Sequence, residues 1–471
     1  MRPPPQDAPY CPETPILSLG GAFYDLVAAA DFPQTILRFR NDRAAASVGL
    51  GDLSDEQWLD HFGRFAPLPD NLPQPLALRY HGHQFRVYNP DIGDGRGFLF
   101  AQLRDDRDRL LDLGTKGSGQ TPWSRFGDGR LTLKGGIREI LATEMLEALG
   151  VETSRTFSLI ETGEALKRND EPSPTRGATL VRLQHGHIRI GTFQRLATLG
   201  ETENIGRLVD YCLVHLFGEE AGADGPARLL ERVCAGTARL AASYIAAGFV
   251  HGVLNSDNIA VTADSFDYGP WRFTPFWDGG FTAAYFDHAG LYAFARQPEA
   301  IHWNLVQLAM ALRPIAEAEA LTVVLETFPD RFRTALRDAI FARLGIEPDD
   351  LPGDLALVAA IEAALAQETV TLDRFTFDWR GGALRTASAL YEGEEFAELR
   401  PLLAGRTPLA GALDHPFWSD AEPCSMHIEE VEAIWARIDQ DDDWSLLEDK
   451  VAAVRRMGEA LRTLKNPHAP A

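Results

Sequence analysis

The sequence predicts an α+β fold of two lobes, β-rich in its N-terminal half and helical in its C-terminal half. Between residues 76 and 200, short apolar runs alternate with glycine-marked turns. From Glu203 onward the apolar residues recur mostly at helical spacing. Just past that junction, residues 251–278 gather Asp257, Asn258 and Asp267. The expected divisions are an extension over 1–75, a sheet-rich lobe over 76–200, a helical lobe over 201–345 and a C-terminal helical extension over 346–471.

Length sets a prior of about three domains of ~150 residues each, although a single two-lobed enzyme reaches 471 residues. With 45% hydrophobic and 24% charged residues, the chain can bury a full core. The formal charge of −23 argues against a nucleic-acid or anionic-membrane partner, because phosphate surfaces demand clustered Lys and Arg. Cys11, Cys212, Cys234 and Cys424 show no CxxC spacing, so neither a zinc site nor a disulfide framework is expected. The opening MRPPPQDAPYCPETPILSLG lacks the apolar core of a signal peptide, and no run approaches the ~20 apolar residues of a membrane span. A soluble, cytoplasmic protein is expected.

Taken in order, residues 1–75 read as an extension with short helices, the clearest at 54–65. Runs at 98–103 and 110–113 read as paired antiparallel strands. His81 and His83 lie two apart, a spacing that could suit a metal on a strand, but no third ligand is near. Then comes LGTKGSGQTPWSRFGDGRLTLKGG, residues 113–136, whose glycines let backbone N–H groups approach an anion. Between 114 and 138 stand Lys116, Arg125, Arg130, Lys134 and Arg138 against a single nearby aspartate, Asp128. A bound polyphosphate would account for this inversion of charge; a solvated glycine-rich loop is the alternative. The stretch contains no GxxxxGK[ST] P-loop. Residues 137–149 are helical by period, with Glu139 and Glu144 as acids that could face the sheet. Strands at 155–161 and 178–183 follow, and Arg182 and Arg189 bracket a turn holding Gln184, His185 and His187. Helices are expected at 204–217, 226–248, 299–312 and 317–344. The acidic stretch 428–449 reads as a helix with a solvated face.

The stretch HGVLNSDNIAVTADSFDYGPWRFTPFWD supplies oxygen ligands, which hard cations such as magnesium prefer. Residues 259–261 read as a short strand between two polar turns. The pattern resembles the metal-binding turns of protein kinases, an H-R-D followed by Asn and then a D-F-G. His251 takes the first position and Asn258 that of the metal-binding Asn, while Asp267-Tyr268-Gly269 stands for D-F-G. Val253 falls where the kinase base belongs, and valine cannot accept a proton. Asp257 is the nearby carboxylate that could replace it. Lys116 followed by Glu139 resembles the kinase pair in which a helix Glu orients a phosphate-binding Lys, although Glu139 also suits a first helical turn on dipole grounds. The layout as a whole is that of a protein-kinase-like two-lobed fold. An ordinary polar turn between core strands is the alternative.

Longer motifs make the resemblance specific. GHQF at 82–85, NPDIGDGRG at 89–97, LGTKGSGQTPWSRFGDGR at 113–130, GGIREILATEMLEALGV at 135–151, HIRIGTFQ at 187–194, HGVLNSDN at 251–258, DYGPWRF at 267–273 and QPEAIHWNLVQLA at 297–309 are similar to the selenoprotein O family, called YdiU in bacteria. The resemblance implies a kinase-like fold that binds ATP turned end for end and transfers AMP to Ser, Thr or Tyr hydroxyls of proteins. It implies that Lys116 grips phosphate with Glu139 as its partner. Gly93, Gly95, Arg96, Asp128, Gly129, Arg182 and Arg189 would line the nucleotide site, Asn258 and Asp267 would hold Mg²⁺ or Mn²⁺, and Asp257 would be the base. Some members carry a C-terminal selenocysteine or cysteine that allows redox control. Here no cysteine follows Cys424 and none lies in 267–290, so no such latch is expected. The expected activity is protein adenylyl transfer, with UMP transfer not distinguished from it. Kinase-type γ-phosphoryl transfer and an inactive nucleotide-binding scaffold are the rivals.

Overall fold

A computed structural model describes residues 8–169, 171–385 and 388–462. The fold is α+β, with a sheet-rich N-terminal region and a helical C-terminal region. The strands are β1 (Tyr24–Leu26), β2 (Ile36–Arg40), β3 (Leu76–Leu78), β4 (Gly82–Gln84), β5 (Val87–Asn89), β6 (Leu99–Arg104), β7 (Leu110–Lys116), β8 (Leu131–Thr132), β9 (Arg155–Leu166), β10 (Thr175–Gln184), β11 (Phe249–Val250) and β12 (Arg272–Phe273). Eight of them form one antiparallel sheet, ordered β1-β3-β6-β7-β10-β9-β2 with β8 also on β10. Both edges therefore come from the segment read as an extension. These strands are three and five residues long and only partly buried, too short for alternation to declare them.

The first helices are α1 (Asp42–Ala46), α2 (Asp55–Phe62), α3 (Leu133–Ala148), α4 (Ile190–Thr198), α5 (Thr202–Tyr211), α6 (Gly225–Ala247) and α7 (Gln297–Leu312). Ser54 opens α2 with a full capping box to Gln57. Trp58 and Phe62 then pack with Phe98, Phe100 and Phe157 in one apolar cluster of the sheet region. Another, larger cluster joins α3, through Ile137, Leu141 and Met145, to the sheet and the helical region. Thr132 caps α3, its hydroxyl accepting from Gly135 N at 3.1 Å. Gly248, left-handed at φ 67°, ends α6 and turns the chain into His251.

Three expectations are corrected. Residues 259–261 make no strand: Ser256–Asn258 is a 3₁₀ turn, and Ala260 forms an isolated bridge with Arg189. The helix expected at 317–344 is two, Ala318–Glu326 and Phe328–Leu344, interrupted at Thr327 where Pro329 starts a new first turn. The acidic stretch 428–449 belongs to two helices, Ile428–Asp441 and Ser445–Arg462, separated at left-handed Asp442. Its acids are not all solvated. Asp442 accepts from Arg38 at 3.2 Å and Arg176 at 2.8 Å, and Glu432 from Lys134 at 2.7 Å. Arg455 adds a two-point pair with the buried Glu144 of α3, at 2.8 and 2.6 Å. No helix of the described residues is long and apolar enough to cross a membrane.

Candidate active site

A cavity of about 650 Å³ opens between the sheet and the turn at Asp257. Gly93, Gly95, Arg96, Lys116, Asp128, Gly129, Arg182, Arg189, Asp257 and Asp267 all line it. Glu139 stands behind the lining, and Asn258 sits beside Asp257 in the 3₁₀ turn. Residues scattered over 93–267 in sequence thus converge on one space.

Asp267 is its electrostatic centre. Lys116 Nζ lies 2.9 Å from its Oδ1, Arg182 Nη1 3.9 Å from the same atom, and Arg189 Nη1 4.0 Å from Oδ2. Burial alone would raise the Asp267 pKa, but Lys116, Arg182 and Arg189 outweigh it and hold the carboxyl well below its usual range. Asp267 also has φ 61°, a left-handed conformation costing a non-glycine residue about 1–3 kcal/mol and typical of functional turns. Lys116 is fixed from its other side by Glu139 Oε2 at 2.6 Å. The expected Lys–Glu pair therefore forms.

Arg189 is placed by the Ala260 bridge. Ile190 N donates to Ile259 O and Val261 N to Ile188 O, each at 3.0 Å. Its guanidinium lies 4.3 Å from the centre of the Tyr80 ring and 4.9 Å from that of Phe266. Nη1 donates to Asp257 O at 2.9 Å and Nη2 to Asp94 Oδ1 at 3.2 Å. Burial raises the Asp257 pKa to about 6, with Arg189 opposing the shift. Arg182 Nη1, Arg189 Nε, Glu139 Oε1 and Asp257 Oδ1 are buried with no hydrogen-bond partner among the described residues. Each such group costs about 1–3 kcal/mol when left unmet, and three of the four residues, Arg182, Arg189 and Asp257, line the cavity.

The glycines act less simply than spacing suggested. A Cβ on Gly93 would stand 2.6 Å from the Trp123 ring, and one on Gly95 would stand 2.8 Å from Trp123 O. These glycines admit the 121–124 turn against the strand-side wall as well as giving backbone access. Of the basic residues between 114 and 138, Lys116, Arg125 and Arg130 line the cavity. Lys134 instead pairs with Glu432, and Arg138 donates to Trp271 O at 3.0 Å with its guanidinium 4.7 Å from that ring. Asp128 forms a rim ion pair with Arg168 at 2.8 Å. His81 Nδ1 meets Tyr88 OH, and His83 Nδ1 meets Gln194, both at 2.7 Å. Sequence reasoning missed Asp94 and Tyr80 as neighbours of Arg189; the motif around Gly93 and Gly95 was the available signal.

The donor set fits a hard cation. Asn258 Nδ2 donates to Val253 O at 2.9 Å, which leaves the amide oxygen as the available ligand atom. Asp267 supplies carboxylate oxygens. Among the described residues no cluster of three or more His, Cys, Asp or Glu could hold a metal.

The chain is similar to known proteins over most of its length. A family model described as protein adenylyltransferase SelO matches residues 9–385. The protein nucleotidyltransferase YdiU of Synechocystis is 41% identical over 475 residues, covering 93% of this chain and 96% of its own. That of Gloeobacter violaceus is 42% identical over 462 residues, covering 94% and 95%. That of Synechococcus elongatus is 48% identical over 354 residues, covering 73% and 70%. With a family match spanning both the sheet and the turn at Asp257, the chain belongs to the SelO family of protein adenylyltransferases.

Proposed function

We propose that this chain transfers AMP from ATP to Ser, Thr or Tyr hydroxyls of other proteins, within a kinase-like two-lobed fold that binds ATP end for end. The observation that carries this reading is the pairing of two buried, under-partnered arginines with Asp257 across one cavity. Residues 76–200 supply the anion grip and 201–345 the base and metal ligands, flanked by 1–75 and 346–471. Lys116, Arg182 and Arg189 hold the β- and γ-phosphates and stabilise the charge developing on departing pyrophosphate. Glu139 keeps Lys116 in place, while Gly93, Gly95, Arg96, Asp128 and Gly129 shape the surrounding wall. Asn258 and Asp267 would hold Mg²⁺ or Mn²⁺, which when bound neutralises phosphate charge. Asp257 accepts the proton of the attacking hydroxyl, and the new bond forms at the α-phosphorus. The partners are ATP and hydroxyl-bearing proteins; the charge of −23 supports neither nucleic acid nor an anionic membrane. Four unpaired thiols support a reducing, cytoplasmic setting.

Parallel incubations of the protein with α- and γ-labelled ATP and a mixture of protein acceptors test this. Label from the α position should enter protein and label from the γ position should leave as pyrophosphate. Stable incorporation of the γ-label alone would make the chain a kinase with a relocated base, and incorporation of neither would favour a scaffold.

A pH profile follows from the raised Asp257 pKa of about 6. A base works only when deprotonated, so kcat/KM should be flat above about pH 7 and fall roughly tenfold per pH unit below 6. Asp257→Asn should remove that acid limb along with most of the rate. A wild-type profile flat to pH 4.5 would show that the Asp257 pKa is not raised, and an Asp257→Asn variant with the wild-type rate would exclude Asp257 as the base.

A further inference from the structure

Arg182 lies on β10 directly opposite Gly114 of β7. The space that a side chain at 114 would fill holds the His187 imidazole: a Cβ on Gly114 would stand 2.4 Å from His187 Nε2. Arg182 Nε donates to that same Nε2 at 3.1 Å. Because arginine can only donate, Nε2 is the acceptor and the ring proton sits on Nδ1. Nδ1 faces Asp112 Oδ2 at 3.2 Å, and His187 N donates to the same oxygen at 2.8 Å. The other oxygen of Asp112 accepts from Gln102 Nε2 at 2.7 Å. Arg182, His187 and Asp112 are 5%, 4% and 3% exposed.

We propose that His187, locked by Asp112 and accommodated by Gly114, is a positioning residue that aims Arg182 into the cavity without adding a further negative charge against it. The inference rests on the anion-gripping role given to Arg182 above. An acid in place of His187 would fix the guanidinium equally well, but would pair off its charge. A neutral imidazole fixes only the direction. Glu139 Oε1 and Asp267 Oδ1 stand 3.8 and 3.9 Å from Arg182 Nη1, within ion-pair range but beyond hydrogen-bonding distance. That nitrogen is buried and has no hydrogen-bond partner among the described residues, while Arg182 itself lines the cavity. Burial holds the imidazole pKa down, in keeping with a neutral acceptor. Without the His187 bond, the guanidinium is free to close onto Glu139 and Asp267, and its charge is then spent inside the protein.

Calorimetric titration of inorganic pyrophosphate and of ATP, with Mg²⁺, into the full chain tests this. His187→Leu should weaken pyrophosphate binding about tenfold or more. His187→Gln, whose side-chain oxygen can accept near the place of Nε2, should stay within about threefold of wild type. Gly114→Ala, which displaces the ring while leaving His187 in the sequence, should behave like His187→Leu. A folded His187→Leu or Gly114→Ala chain that binds pyrophosphate as wild type does, or a Gln variant no better than Leu, would overturn the inference. Wild-type protein that binds neither pyrophosphate nor ATP would instead overturn the nucleotide site itself, and the positioning role with it.

Discussion

Asp267→Ala is expected to abolish transfer, by about 10³-fold or more, while leaving the fold intact. The carboxylate balances Lys116, Arg182 and Arg189 at 2.9, 3.9 and 4.0 Å, and they hold it ionised. Its loss removes the one carboxylate proposed to hold the metal and leaves three cations facing a smaller negative charge. Metal-free pyrophosphate should therefore bind at least as well as to wild type, while stimulation by Mg²⁺ or Mn²⁺ disappears. Titrating pyrophosphate with and without metal, beside a transfer assay and a thermal melt, separates these effects. Near wild-type transfer by a well-folded variant would remove Asp267 from the chemistry.

The second large effect belongs to Asp257→Ala, which should slow transfer by about 10²–10⁴-fold through kcat, with ATP affinity little changed. The substitution is clean for a structural reason. Arg189 is held by the backbone carbonyl of Asp257, at 2.9 Å, and not by its carboxylate. Alanine keeps that carbonyl, so the anion grip stays in place while the base is lost. The Asp257 side chain accepts from Gln84 Nε2 at a long 3.4 Å. A kcat within about threefold of wild type would assign the proton transfer elsewhere.

Much of the site was legible because its chemistry is written in short, spaced words. Asp257-Asn258 and Asp267 lie ten residues apart in one stretch, and Lys116 and Glu139 flank one turn and the start of one helix. What was not legible depends on distant partners. His187 reads as one of two histidines near a turn; its role depends on strand register placing Gly114 across from Arg182. Lys134 and Arg138 read as part of an anion pocket, yet Lys134 is claimed by an acid 298 residues away and Arg138 by a carbonyl 133 residues away. The edge strands were missed for a different reason: three and five residues carry too little pattern to outvote a neighbouring loop.

The pairing of the latest helices with the earliest strands has a consequence for synthesis. Arg38 and Asp442 are 404 residues apart in sequence, and Arg455 reaches Glu144 across 311. Asp442 is 54% exposed, so its pairs contribute about 1 kcal/mol or less. Glu144 is only 4% exposed, and besides Arg455 it accepts from Arg43 Nη2 at 3.3 Å, so Arg455 adds the closer, two-point pair to an acid that already has one partner. A chain emerging from the ribosome can assemble the sheet and form the Lys116–Glu139 pair long before residue 455 arrives. Until then, the helix that carries Glu139 lacks its outer cover, and its Glu144 has Arg43 but not the two-point pair with Arg455. The machinery is thus tightened by the last part of the described chain to be made, and a truncated product would keep the cavity but hold it loosely.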